Sequence, residues 1–254
     1  PRATSCVART TRRTSNASAD AVIDALDHLV IGGPAADYEL LLGRRATNGG
    51  LRTGNVGLAF ADGAAGLQSM VFATADLDEA AKLLERRAVT ATREGGTLAF
   101  AGHGVAIGLT TKGSVSPSPL AADEAACVSS LDHVVIHTPD PERAVAFYAG
   151  RLGLDLRLDR SNPLWGARLL FFRCGDLVVE ISHDLKKGVS NGPDRLWGLA
   201  WRVPDVAKAN ARLKAAGVEV TAARDGRRPG SQVFTVKSHT GGVPTLVIGG
   251  VGRW

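Results

Sequence analysis

Two six-residue stretches set an imidazole beside a carboxylate: Leu26-Asp27-His28-Leu29-Val30-Ile31 and Leu131-Asp132-His133-Val134-Val135-Ile136. A third group, Val178-Val179-Glu180, places another carboxylate in an apolar run. Histidine with glutamate supports two chemistries: proton transfer at a bound organic molecule, and ligation of a divalent ion. Alternate residues of a strand share a face, so side chains from neighbouring strands converge on one point. By that alternation His137 shares the face of His133, and Arg202 that of Gly198. Glu180 is expected among Val178, Ala200 and Val247, where burial raises a carboxyl pKa unless a cation such as Arg202 compensates. His183 lies an odd number of residues from Glu180 and is expected to face away. Trp165 follows Asn162-Pro163 in a loop, where its indole either closes over a planar ligand or packs. Trp201 is expected in the core. Arg227-Arg228, in a hairpin loop, either greets an anionic substrate or forms a solvated turn.

The elements that must position these groups come from internal repetition. In the second copy Pro139-Asp140-Pro141 opens a helix with Val145, Tyr148, Ala149 and Leu152 on one face, and Gly153 stops it. A second pair of repeats interleaves with the first. Ala75-Asp76-Leu77 and Pro204-Asp205-Val206 each follow a strand-like run and begin a helix, with Asp76 and Asp205 at the N-cap. After the third helix the apolar runs 154–158, 167–173 and 177–182 read as strands; after the fourth, 219–222, 232–237 and 245–248 do. The unit is strand, helix, then short strands, four times over, with one strand lost from the first copy. The division expected is a disordered basic tail at 1–24, a degenerate N-terminal domain at 25–111, a Ser/Pro/Ala-rich linker at 112–130, and a C-terminal domain at 131–254.

Composition removes other classes. The 254 residues are 44% hydrophobic and 22% charged, which excludes wholesale disorder and collagen-like repetition. Four of the five net positive charges fall within residues 1–19, so the folded part carries no basic face and nucleic acid is not an expected partner. That tail reads as a bland extension or as an Arg-rich transit segment. No apolar run reaches the ~20 residues of a membrane span. Cys6, Cys127 and Cys174 form no Cys-x-x-Cys pair, which suits a reducing, cytoplasmic setting. No Gly-rich phosphate loop and no Gly-x-Ser-x-Gly elbow occurs.

A βαβββ unit used in pairs, with Leu-Asp-His opening the odd copies, resembles the vicinal oxygen chelate superfamily of glyoxalases, bleomycin-resistance proteins and extradiol dioxygenases. Asp132-His133, Phe147-Tyr148, Arg151-Leu152-Gly153 and Val178-Val179-Glu180 carry the resemblance over 131–250; it is weaker over 26–110. It implies an α+β fold in which tandem modules pair into two half-open β-cups with helices outside. It also implies a divalent metal (Zn, Fe, Mn or Ni) held by a His or Gln from each first strand and a Glu from each last strand. His133 and Glu180 stand in register as metal and catalytic residues. Gly198 and Thr245 occupy the other two positions, with His137 the nearest substitute and Trp165, Arg202 and Thr245 as ligand-binding candidates. In the N-terminal copy His28 is in register, Gln68 or Ser69 lies near the next position, and 104–109 offers no acid.

Three functions follow from this. The preferred one is a small-molecule-binding protein of the bleomycin-resistance type with an incomplete metal site. The alternative is a metal-dependent lyase, isomerase or dioxygenase using His133 and Glu180. The third is a homodimerisation scaffold whose cups bind nothing.

Overall fold

A computed structural model describes residues 22–250 except 49, 112, 114 and 115. The basic tail therefore lies outside the described residues up to position 21, Cys6 included. The first unit runs β1 (Ala25–Gly32), α1 (Ala35–Leu42), β2 (Gly50–Arg52) and β3 (Gly57–Ala61). The second has one strand more: β4 (Gly66–Thr74), α2 (Leu77–Arg86), β5 (Thr92–Glu94), β6 (Thr97–Gly102) and β7 (Val105–Thr111). The third comprises β8 (Ser130–His137), α3 (Pro141–Val145) continued by a π-helical turn (Ala146–Arg151), β9 (Asp155–Asn162), β10 (Ala167–Cys174) and β11 (Leu177–Asp184). The fourth comprises β12 (Arg195–Arg202), α4 (Val206–Ala215), β13 (Arg224–Asp225), β14 (Gln232–Val236) and β15 (Thr245–Gly249).

Three of the helices begin where an aspartate accepts their orphan N–H groups. Asp76 bonds the amides of Asp78 and Glu79 at 2.8 and 3.1 Å; Asp140 bonds Arg143 N and Asp205 bonds Lys208 N, each at 3.0 Å. Such caps contribute about 1 kcal/mol each.

Two mixed sheets result, and neither closes into a barrel. Their orders are β2-β3-β1-β4-β7-β6-β5 and β13-β14-β15-β12-β8-β11-β10-β9. Each is built around an antiparallel pair of first strands, β1 with β4 and β8 with β12, and each first strand is flanked by its own unit's last strand in parallel. One face is packed under the helices by Val134, Ile136, Val179, Ile181, Leu199 and the fully buried Trp201. The opposite face is the hollow.

One expectation changes. Residues 219–222 form no full strand; Val220 makes a single bridge to Val236. The Thr221 hydroxyl accepts the Thr235 amide at 3.0 Å, so a side chain takes the place of a ladder carbonyl. The segment between the sheets is hydrogen-bonded to the end of α1 and the residues that follow it. Arg45 N donates to Pro119 O, Ala121 N to Gly43 O and Val128 N to Leu42 O, while the Arg44 guanidinium donates to the carbonyls of Ser118 and Val128.

Candidate functional site

The dipeptides that open units one and three sit at irregularities in the central ladders. Between β8 and β12 the register steps from His133↔Ala200 to Leu131↔Trp201 and leaves Asp132 unpaired. Between β1 and β4 it steps from His28↔Val71 to Leu26↔Phe72 and leaves Asp27 unpaired. In a regular strand, adjacent side chains point to opposite faces. A bulge re-aims one of them. Asp132 Oδ2 accordingly reaches His133 Nδ1 at 2.8 Å, and Asp27 Oδ2 reaches His28 Nδ1 at the same distance.

In the C-terminal cup this pair belongs to a longer chain of contacts. The Arg202 guanidinium donates through Nε to Asp132 Oδ1 at 2.6 Å and through Nη2 to Asp176 O at 3.1 Å. His133 Nε2, on the far side of the ring, faces Glu180 Oε2 at 3.6 Å. Burial works against the Asp132 carboxylate, but the hydrogen bond and charge of His133 together with Arg202 hold it below the usual range. Glu180 moves the other way. Burial pushes its carboxyl up, opposed by His133 and by Arg227 and reinforced by Asp132. A carboxyl raised this way beside an imidazole whose other nitrogen is clamped is equipped to accept or return a proton.

The remaining candidates separate. Arg202 lies behind the imidazole on Asp132, and the guanidinium whose charge acts on Glu180 is Arg227, from the hairpin loop between β13 and β14. Thr245 pairs with Leu199 and is 3% exposed, its hydroxyl donating to Val243 O, so it faces the helices. Val247 pairs with Trp201 on that same core face. The residue of β15 that enters the cup is Leu246, opposite Ala200. A one-residue difference in register moves a side chain to the other face, and sequence alignment alone did not fix that step. His137 shares the cup face but stands four residues from His133, about 13 Å along the strand. It stacks on Trp197, with centroids 4.7 Å apart and planes 20° from parallel. His183 faces away as expected, buried with Nδ1 3.1 Å from Thr138 O. Trp165 stands at the rim, its ring covered by the guanidinium carbons of Arg227 at 4.4 Å and Arg160 at 5.4 Å. It thereby links the loops of units three and four. In the sequence Arg227 is only half of an Arg-Arg pair; its place over Trp165 depends on how the hairpin folds.

Pairing around the central strands fixes four equivalent positions in each cup. In the C-terminal cup they are His133, Glu180 opposite Val135, Gly198 opposite Val135, and Leu246 opposite Ala200. In the N-terminal cup they are His28, Ala59, Ser69 and Gly108. Gln68 drops out of the ladder and donates to Ala64 O. The metal implied by the resemblance does not fit this donor set. Catalytic zinc keeps three protein ligands as a rule; the C-terminal cup presents two, the N-terminal cup one imidazole and a hydroxyl. Among the described residues no group of three or more His, Cys, Asp or Glu could hold an ion.

Residues 132–235 match the Glyoxalase/Bleomycin resistance protein/Dioxygenase superfamily. The match lies within the C-terminal half of the chain. An ethylmalonyl-CoA/methylmalonyl-CoA epimerase of Cereibacter sphaeroides is 29% identical over 100 residues, covering 37% of this chain and 75% of the relative. A halotolerant catechol dioxygenase superposes with a TM-score of 0.70 at 15% identity, over 91% of this chain and 88% of its own. The Mn(II)-bound glyoxalase of Novosphingobium aromaticivorans gives 0.68 at 15% identity, over 91% and 83%. These whole-chain likenesses show that both halves share the tandem glyoxalase-like fold.

Proposed function

We propose that the C-terminal cup binds a small organic ligand by shape, stacking and hydrogen bonding, without a resident metal. One observation carries this reading: of the four converging positions two are Gly198 and Leu246, while the two polar ones are already turned toward each other, His133 Nε2 to Glu180 Oε2 at 3.6 Å. A half-buried imidazole and carboxyl at the floor, with Trp165 and Arg227 at the rim, suit a polar, partly planar molecule. The setting within this proposal is the cytoplasm, where the free, buried Cys127 and Cys174 stay reduced. No helix among the described residues is long and apolar enough to cross a membrane.

Metal analysis of the purified protein, beside His133→Ala and Glu180→Ala, is the test. The expected result is metal well below one equivalent in all three, with ligand-induced thermal stabilisation that survives a chelator. Stoichiometric Zn, Fe, Mn or Ni, lost in both variants, overturns the proposal in favour of a metal-dependent lyase, isomerase or dioxygenase.

The raised Glu180 carboxyl supports a second reading, an isomerase, and the epimerase relative is named for chemistry of that kind. Glu180 as carboxylate takes the proton from a carbon beside a carbonyl. The electron pair moves onto the carbonyl oxygen near Arg227, and protonated His133 or Glu180 itself returns a proton to carbon. Incorporation of solvent deuterium into methylmalonyl-CoA by the parent, reduced about 10²–10⁴-fold in Glu180→Gln, is the expected signature. Equal incorporation by parent and variant would remove this reading.

A further inference from the structure

The cup floor continues beyond Glu180. Ser182 on β11 pairs with His137 on β8, and His137 pairs in turn with Arg195 on β12. There the connection between β11 and β12 folds over and encloses an outer chamber of about 580 Å³, whose walls include His137, Trp165, Ser182, Lys186, Lys187 and Arg195. Its charge is one-sided. Asp184 is the single acid among the lining residues, and Lys187 Nζ stands 3.8 Å from it. Lys186 and Arg195 have no acidic partner among the described residues. Unpaired like charges beside one concavity raise the local potential and draw counter-ions into it.

The chamber also presents flat apolar surface. Trp165, 43% exposed, is held in place by the two guanidinium groups above its ring. Trp197, 45% exposed and behind the lining rather than part of it, falls at a break in the ladder between Leu196 and Gly198 and stacks on the lining residue His137. Burial first, then Arg195 and Lys187, keeps the His137 imidazole below its usual pKa, so it offers a neutral ring to a ligand.

The geometry points to this chamber as an oxyanion subsite, which takes the carboxylate or phosphate of a ligand whose planar or acyl body lies along the cup toward Glu180. The inference rests on the cup being a small-molecule site and names the class of molecule it takes: organic acids and phosphate esters rather than neutral compounds.

Calorimetric titration of the full chain with 2-naphthyl phosphate, 2-naphthoate, inorganic phosphate and the neutral 2-naphthamide tests it. The parent is expected to bind the naphthyl phosphate or naphthoate at least about tenfold more tightly than the amide, and more weakly as NaCl rises from about 50 to about 500 mM. A preference for the ester over inorganic phosphate shows that the organic body contributes; equal affinity for the two reduces the chamber to a free-phosphate site and overturns the inference. In the double variant Lys186→Ala/Lys187→Ala, and separately in Arg195→Gln, the anionic probes are expected to weaken roughly tenfold or more while the amide is unmoved. These side chains are exposed, so the variants should melt with the parent. Anionic affinity unchanged in both variants sinks the inference, as does failure of the parent to bind either anionic probe at millimolar concentration. Glu180→Gln separates the two readings. If it weakens the amide while the lysine variants change nothing, the cup stands as a binding site and only its anionic half is lost.

Discussion

Asp132 is 1% exposed and carries a charge because the His133 ring and the Arg202 guanidinium both bond it. Asp132→Asn preserves its shape but strands the buried Arg202 guanidinium, and breaking a buried pair from one side costs about 3–5 kcal/mol. Denaturant unfolding at neutral pH should show that loss; a variant within about 1 kcal/mol of the parent would mean the pair is not held as described. The pH dependence has a definite sign. The folded pKa of Asp132 lies below its ordinary 3.8, so its contribution is present above that value and is lost as pH falls through the lowered one. Glu180 runs opposite. Its folded pKa lies above 4.5, so its contribution is complete below 4.5 and is lost as pH rises through the raised value. Glu180→Gln should therefore gain thermal stability over the parent as pH climbs above 4.5. A gap that is flat, or that favours the parent at neutral pH, contradicts the described burial. A carboxyl kept where it costs stability fits a group retained for what it does to a ligand.

At the level of the element, the decisive feature is the register of β15. Leu246 enters the cup and Thr245 faces Leu199 and Trp201. Leu246→Glu should fold and, with His133 and Glu180, complete a three-donor set, so the variant is expected to bind Zn²⁺ with one-to-one stoichiometry where the parent does not. Thr245→Glu, one position away, buries an unpaired carboxylate against the core and should lose several kcal/mol or fail to fold. The opposite pattern, metal gained at 245 and instability at 246, would require the strand to be displaced by one residue. Gly198 cannot be refitted as easily, because a Cβ there would meet Pro244 O at 2.8 Å. The missing ligand is thus built into the backbone. The repeat, the aspartate caps and the burial of Trp201 were legible in the sequence, since they rest on periodicity and on local hydrogen bonding. The bulges at Asp27 and Asp132 and the facing of Thr245, Leu246 and Arg202 were not, because each depends on how two strands distant in sequence align. The strand expected at 219–222 failed for a related reason: a threonine hydroxyl competes with the ladder only once its partner strand is in place.

Across the whole molecule, four copies of one unit form two sheets, yet the halves are not independent bodies joined by a tether. Arg212, on α4 of the fourth unit, donates to Leu40 O and Leu41 O at 2.7 and 2.8 Å and to Ala126 O at 3.0 Å. It thereby satisfies carbonyls at the end of α1 in the first unit that the helix itself leaves orphaned. Tyr38 O–H donates to Thr240 O, and Asn55 exchanges hydrogen bonds with the backbone of Leu131. The turn between β6 and β7 brings His103 O to the amide of Asp194 at 2.7 Å, immediately before Arg195 of the outer chamber. The N-terminal half, which carries His28 but no carboxylate opposite it, is joined by these bonds to the half whose cup has a polar floor. Shared hydrogen bonds and packing of this extent should make unfolding a single event. Calorimetry is expected to show one transition, with the calorimetric and van't Hoff enthalpies equal. Arg212→Met, which removes three charge-assisted bonds while keeping the stem, should lower the stability of both halves together by about 3 kcal/mol. Two resolved transitions in the parent, or a variant in which only the C-terminal half loosens, would show instead that each cup stands alone.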